Sequence, residues 1–314
     1  MLLRPRRDHR LSSKRVPFGR SRIHDGDASG VIRHRFYETQ RYKTRRYETY
    51  FCETDLQASE RGGGFALRTM IISVELIPSS PARLERDLAE LKTHFPGVNT
   101  VNIVDLKKFS TRSWQACLPA CGYGFNAIPH IRAVDVDLTK PFSFAGDLKA
   151  AQVSEMLVIT GDVPADMGHN LYDSTALQVI RKLRRELPQL KIYAALDPYR
   201  QNFVKEIAYA RDKLEAGAAG LFTQPFFDLR LMDIYADLLP NVELYWGVTS
   251  VTSSKSHSYW RSRNKAVFPA HFEPTLAWSR AFAKDAVTFA RERGDNLYFM
   301  PIKTSAVSFL KGIL

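Results

Sequence analysis

The chain lacks the features that would assign it to a membrane, a secretion route or a disulfide scaffold. No apolar run is long enough to cross a bilayer. The N-terminus is polar and basic, without the apolar segment of a secretory signal. Three cysteines, an odd number, do not make a disulfide framework. A reducing, cytoplasmic setting is therefore expected. Cys117 and Cys121 lie four apart, but Pro119 between them argues against a shared helix face. Two thiols fall short of the four ligands zinc wants, so no metal site is expected. A Gly-rich dinucleotide turn is also missing. The first apolar run ends in Ile77-Pro78-Ser79-Ser80, which cannot wrap a pyrophosphate.

The charge present is unevenly spread. Of the net +12, residues 1–69 carry +8, from 16 Lys/Arg against 8 Asp/Glu. That segment has few aliphatic residues and no sustained period, so it reads as a low-order basic extension. An arm for an anionic partner, a targeting peptide and an upstream extension without a function of its own compete as explanations. The last is preferred, because the first strand begins at Met70. Nucleic acid is not the expected partner of the main body.

From Met70 the pattern alternates. Apolar runs expected as strands are Met70–Ile77, Val98–Val104, Ala127–Val134, Glu155–Ile159, Lys191–Leu196, Gly220–Thr223, Val242–Val248 and Asn296–Met300. Helical segments fall between them, including Pro81–His94, a short Arg112–Leu118, Ser174–Leu187, Phe203–Ala216 and Leu229–Leu239. Eight strands alternating with helices imply parallel strands and right-handed crossovers. The 245 residues from Met70 to Leu314 approach the length of about 250 typical of a (β/α)₈ TIM barrel. The expected organisation is thus a 70–314 barrel domain behind a 1–69 extension.

Barrels converge the C-terminal ends of their strands on one mouth. Polar residues at those ends are Glu75, Asp105, His130, Asp162 after Gly161, and Gln224. Glu75 interrupts an apolar strand, where a carboxylate is costly unless paired or protonated. Desolvation would raise its pKa and suit it to general-acid work near neutrality. A buried structural ion pair is the other reading of Glu75. A strand-capping amide is the other reading of Gln224, and a satisfied core histidine that of His130.

In this order, Ile72-Ser73-Val74-Glu75-Leu76-Ile77-Pro78, Gly161-Asp162 after an apolar strand, and Thr223-Gln224-Pro225-Phe226-Phe227-Asp228 resemble the methylenetetrahydrofolate reductase family. The resemblance covers residues 70–314. It implies a (β/α)₈ barrel that reduces 5,10-methylenetetrahydrofolate to 5-methyltetrahydrofolate with electrons from NAD(P)H, usually through FAD, in one-carbon and methionine metabolism. It gives Glu75 the role of protonating the folate as its five-membered ring opens. Asp162 would stabilise the developing cation beside the pterin, and Gln224 would hydrogen-bond the pterin. Phe226 would approach the substrate, with core packing expected of at least one of Phe226 and Phe227. His130, Gly161, Asp105 and Lys213 fall at cofactor-side positions.

The departures from the family pattern cluster on the flavin side. Thr160 stands where the family has Arg before Gly-Asp, and Leu196-Asp197-Pro198-Tyr199-Arg200-Gln201 keeps only the proline of a Tyr-Pro-Glu-x-His pattern. Glu206, Tyr209 and Asp212 replace residues that face FAD, Asp212 with reversed charge. Asp105 replaces a Thr-Tyr-Gly type turn. The expectation is a branch that binds folate, holds FAD weakly or not at all, and takes hydride directly from a nicotinamide nucleotide. A folate-binding barrel that acts as a non-reducing or methyl-transfer partner is the alternative.

Overall fold

A computed structural model describes residues 69–161 and 171–314. The basic N-terminal segment and Asp162 lie outside the described residues. The strands β1 (Ile72–Leu76), β2 (Thr100–Ile103), β3 (Asn126–Arg132), β4 (Glu155–Ile159), β5 (Lys191–Leu196), β6 (Gly220–Pro225), β7 (Glu243–Thr249) and β8 (Asn296–Met300) close in sequence order into a barrel. Every pair is parallel, and β1 closes on β8 through Ile72–Leu297, Ser73–Tyr298 and Val74–Phe299. The expected (β/α)₈ architecture is the one observed.

Each connection carries a helix, and most of these helices have chemically marked ends. Helix α1 (Pro81–His94) starts with Pro at its first turn behind an N-capping Ser80. Helix α2 is Cys117–Gly122, α3 is Ala145–Ala150 and α4 is Ala176–Glu186. The last of these opens with a reciprocal capping box between Thr175 and Gln178. Helix α5 spans Phe203–Glu215 and α6 spans Leu229–Leu238. After β7 come α7 (Ser254–Arg263) and α8 (Leu276–Arg293), and α9 (Ala306–Leu310) closes the fold.

The second helix corrects an expectation. It begins at Cys117, not Arg112, and contains Pro119, so Cys117 and Cys121 share it. Pro119 lies in the first turn, where its missing N–H would have had no intrahelical acceptor.

Two apolar layers follow from strand alternation. Outward residues such as Val74, Val101, Val158, Leu221 and Val248 pack under the helices. Inward residues Ile128, Leu157, Tyr193, Phe222, Tyr245, Tyr298 and Met300 fill the lumen. Phe222 stacks on Tyr245 with ring centroids 3.9 Å apart. At the N-terminal ends of the strands Lys191 is 2.8 Å from Glu243 and 4.0 Å from Glu155, and the Tyr193 hydroxyl donates to both carboxylates. This paired network seals the barrel base and leaves the opposite end as the functional face.

No helix among the described residues is long and apolar enough to cross a membrane. No group of three or more His, Cys, Asp or Glu among them is placed to hold a metal ion.

Candidate active site at the barrel mouth

Glu75 is half-buried near the end of β1. Its Oε2 accepts a hydrogen bond from the Tyr298 hydroxyl on neighbouring β8. Among the described residues no cation pairs with it. Burial raises its pKa to about 7, and the Tyr298 donor only partly offsets that. The carboxyl therefore divides between protonated and ionised forms near neutral pH, as a general acid requires.

A second polar chain runs beside it. The Ser73 hydroxyl donates to Asn102 Oδ1 at 2.5 Å. Asn102 Nδ2 lies 3.1 Å from His130 Nε2. An amide nitrogen can only donate, so Nε2 accepts and the imidazole proton sits on Nδ1. Burial lowers the His130 pKa to about 3, which keeps the ring neutral. Its ring meets the edge of Tyr298 with centroids 6.3 Å apart. Tyr298 thus touches both sequence-expected residues, Glu75 and His130, and Asn102 bonds His130; sequence reading singled out neither Tyr298 nor Asn102.

Gln224 is exposed although its neighbours Thr223 and Pro225 are buried. The β6–β7 register shifts between Phe222 and Pro225, so this residue escapes the regular ladder. It lines a cleft of about 310 Å³ with Thr160, Gly161, Asp197, Arg200 and Lys213. Gly161 has φ +86°, and a Cβ there would lie 2.9 Å from Arg132 Nε. Only glycine fits that turn.

Three further expected residues are placed as follows, and of these Phe226 departs from the sequence reading. Phe226 is fully buried outside the lumen, against Tyr235 and Trp246. It packs the core there and does not approach the mouth, because the residue following the β6 bulge turns toward α6. Lys213 is 2% exposed and donates to the Ala195 carbonyl at 2.6 Å, with Nζ 4.0 Å from the Tyr209 ring centre. Desolvation lowers its pKa to about 8. Asp105 is buried and ion-paired with Arg112, in a separate cleft between the loops after β2 and β3.

The residues at the flavin-side positions satisfy one another. Arg200 Nη2 donates to both Glu206 oxygens, at 3.0 and 2.8 Å, and Gln201 donates at 2.9 Å. The Asp197 backbone N–H completes the set. Tyr209 hydrogen-bonds Thr160, and Arg200 stacks over the Tyr209 ring. Glu206 is wholly inaccessible. Arg200 is committed to Glu206 and Lys213 to the Ala195 carbonyl, so these residues do not fit a flavin diphosphate.

The solved structure of oxaloacetate acetylhydrolase with the product oxalate is 10% identical, covers 78% of this chain and 79% of that one, and superposes with a TM-score of 0.50. Dihydropteroate synthase from Thermus thermophilus is 13% identical over 79% and 92% of the two chains, with a TM-score of 0.46. At such identities the first likeness shows a shared barrel fold alone. The methylenetetrahydrofolate reductase family model matches residues 87–288, from α1 into α8. Glu75 and Tyr298 lie beyond its two ends, so their pairing is an observation of the barrel's closure. With most of the barrel matched and the strand order closed, the chain belongs to the methylenetetrahydrofolate reductase family.

Proposed function

We propose that this protein reduces 5,10-methylenetetrahydrofolate to 5-methyltetrahydrofolate with hydride taken directly from NAD(P)H. The observation that carries the reading is Glu75, a carboxyl at the barrel mouth with a pKa raised to about 7 and, among the described residues, one hydroxyl partner. Its protonated form donates to the folate nitrogen that leaves as the five-membered ring opens. The electron pair of the broken C–N bond goes to that nitrogen, and the other nitrogen becomes an iminium. Hydride then adds to the exposed methylene carbon. Tyr298 holds the carboxyl in position and steadies its ionised form after proton transfer. Gln224, exposed at the opposite rim, hydrogen-bonds the pterin, and Asp162 stabilises the iminium charge.

The flavin-free step is supported by the Arg200–Glu206–Tyr209–Lys213 cluster, whose polar groups are taken up by one another and by the Ala195 carbonyl at positions the family resemblance assigns to the flavin side. The full-length protein tests both parts. It should purify without flavin absorbance and oxidise NADH or NADPH only when methylenetetrahydrofolate is present. Stoichiometric flavin in the purified protein sinks the direct transfer. Absence of folate-dependent oxidation sinks the reductase.

A further inference from the structure

A second cleft, of about 410 Å³, lies between the loops that follow β2 and β3. Three chemistries meet in it. One is an aromatic wall, with Trp114 5.2 Å from Phe144 and Phe144 4.9 Å from Phe142 between ring centroids. Another is a set of cations, Lys107, Arg112 and Arg132, against the carboxylates Asp105 and Asp135. The last is an acceptor without a donor. The Asp135 side chain is 8% exposed, and among the described residues neither of its oxygens has a hydrogen-bond partner. Lys107, Arg112 and Arg132 approach it at 3.4, 3.6 and 3.7 Å, close enough to attract it and too far to hydrogen-bond well. Among the described residues Arg112 Nε is buried without an acceptor as well.

Unmet buried polar atoms are costly, and a bound group that meets them recovers that cost. A ribose diol offers two donors to a carboxylate, as at dinucleotide sites where an acidic residue reads the ribose. A diphosphate offers acceptors to guanidinium and ammonium groups. A purine offers a face to an aromatic wall. The cleft also reaches the barrel mouth. Ile128, His130 and Arg132 alternate on β3, so Arg132 stands above His130 on the inward side and abuts Gly161.

We infer that this cleft binds the nucleoside diphosphate end of the hydride donor, with Asp135 accepting from the ribose, Lys107 and Arg112 holding the diphosphate, and the base against Trp114 and Phe144. This assignment rests on the reductase reading for the donor's identity, but the nucleotide site stands on its own geometry. A carboxylate on the ribose repels a 2′-phosphate, so the site selects NADH over NADPH.

Titrating ADP-ribose onto the full chain, followed by calorimetry and Trp fluorescence, tests the cleft. ADP-ribose should bind, displace NADH and bind about tenfold tighter than its 2′-phosphorylated form. Asp135→Asn should weaken ADP-ribose about tenfold and abolish the preference against the 2′-phosphate. Lys107→Ala, at the partly exposed rim where folding is not at risk, should weaken ADP-ribose and raise the KM for NADH while sparing kcat. Folate-dependent NADH oxidation without ADP-ribose binding overturns the cleft and leaves the reductase standing. ADP-ribose binding without folate-dependent oxidation overturns the reductase and keeps the cleft. ADP-ribose affinity unchanged in both variants overturns the assignment of Asp135 and Lys107.

Discussion

Two glutamates on opposite sides of the barrel mouth have opposite surroundings. Glu206, on α5, accepts from a guanidinium, a side-chain amide and a backbone N–H, and no solvent reaches it. Glu75, on β1, has a tyrosine hydroxyl and no cation among the described residues. A buried carboxylate with a full complement of donors is a structural anchor, and removing one partner strands the others. A desolvated carboxyl with one donor takes up a proton instead. The half of the mouth with Glu206 is filled with mutual pairs, and the half with Glu75 holds a carboxyl whose hydroxyl donor leaves it able to exchange protons.

The largest effect expected from breaking this contrast is on Glu75. Glu75→Gln should lower kcat by about a hundredfold or more, the ordinary worth of a positioned proton donor. It should also stabilise the fold at alkaline pH. The folded pKa lies above the unfolded value of 4.5, at about 7. Stability is therefore lost as pH rises from the lower value through the higher. Replacing the carboxyl should recover up to about 3 kcal/mol above that window and little below it, read from urea unfolding on either side.

Breaking the other glutamate gives the converse. Glu206→Ala leaves Arg200 and the Asp197 N–H without their acceptor. It should cost about 2–3 kcal/mol, a figure kept low because Arg200 is partly exposed. Thermal unfolding checks this, and kcat of the surviving folded enzyme should change little. A hundredfold fall in kcat would mean that the cluster belongs to the chemistry.

Smaller shifts sharpen the picture. Tyr298→Phe removes the donor that favours ionised Glu75, so the carboxyl pKa should climb further. The activity of the wild type should fall as pH rises through about 7, and in Tyr298→Phe that fall should move about one unit toward alkaline pH. Gln224→Ala should change stability by no more than about 0.5 kcal/mol, since the side chain is exposed. Its expected effect is a raised KM for the folate, measurable in steady-state assays.

Strand alternation made the barrel legible because each run was bounded by turn chemistry and carried its own period. Glu155–Ile159, Lys191–Leu196 and Asn296–Met300 were readable to the residue. The short α2 was not, because a proline in the first turn of a six-residue helix looks the same in sequence as a proline that ends one. Glu75 was legible as a carboxyl out of place in an apolar strand. Tyr298 was not, since in Asn296-Leu297-Tyr298-Phe299-Met300 an aromatic reads as core. Only the β8–β1 register sets its hydroxyl against Glu75. Asn102 was hidden in the same way, and two of the three cations around Asp135, Lys107 and Arg112, come from the loop after β2, distant in sequence. Phe226 shows the opposite error, because a motif conveys order along the chain while a bulge decides which way a ring points.

The close approach of β6 and β7 has a consequence for the opening beside Gln224. A Cβ at Gly247 would collide with the Thr223 carbonyl oxygen and lie 2.9 Å from the Gln224 carbonyl carbon. The limiting contact is backbone against backbone, so no side-chain rotation can relieve it. The gap at that edge is fixed when the barrel closes. Whatever enters there must suit an aperture of set width, and any residue larger than glycine at position 247 would redraw the doorway itself.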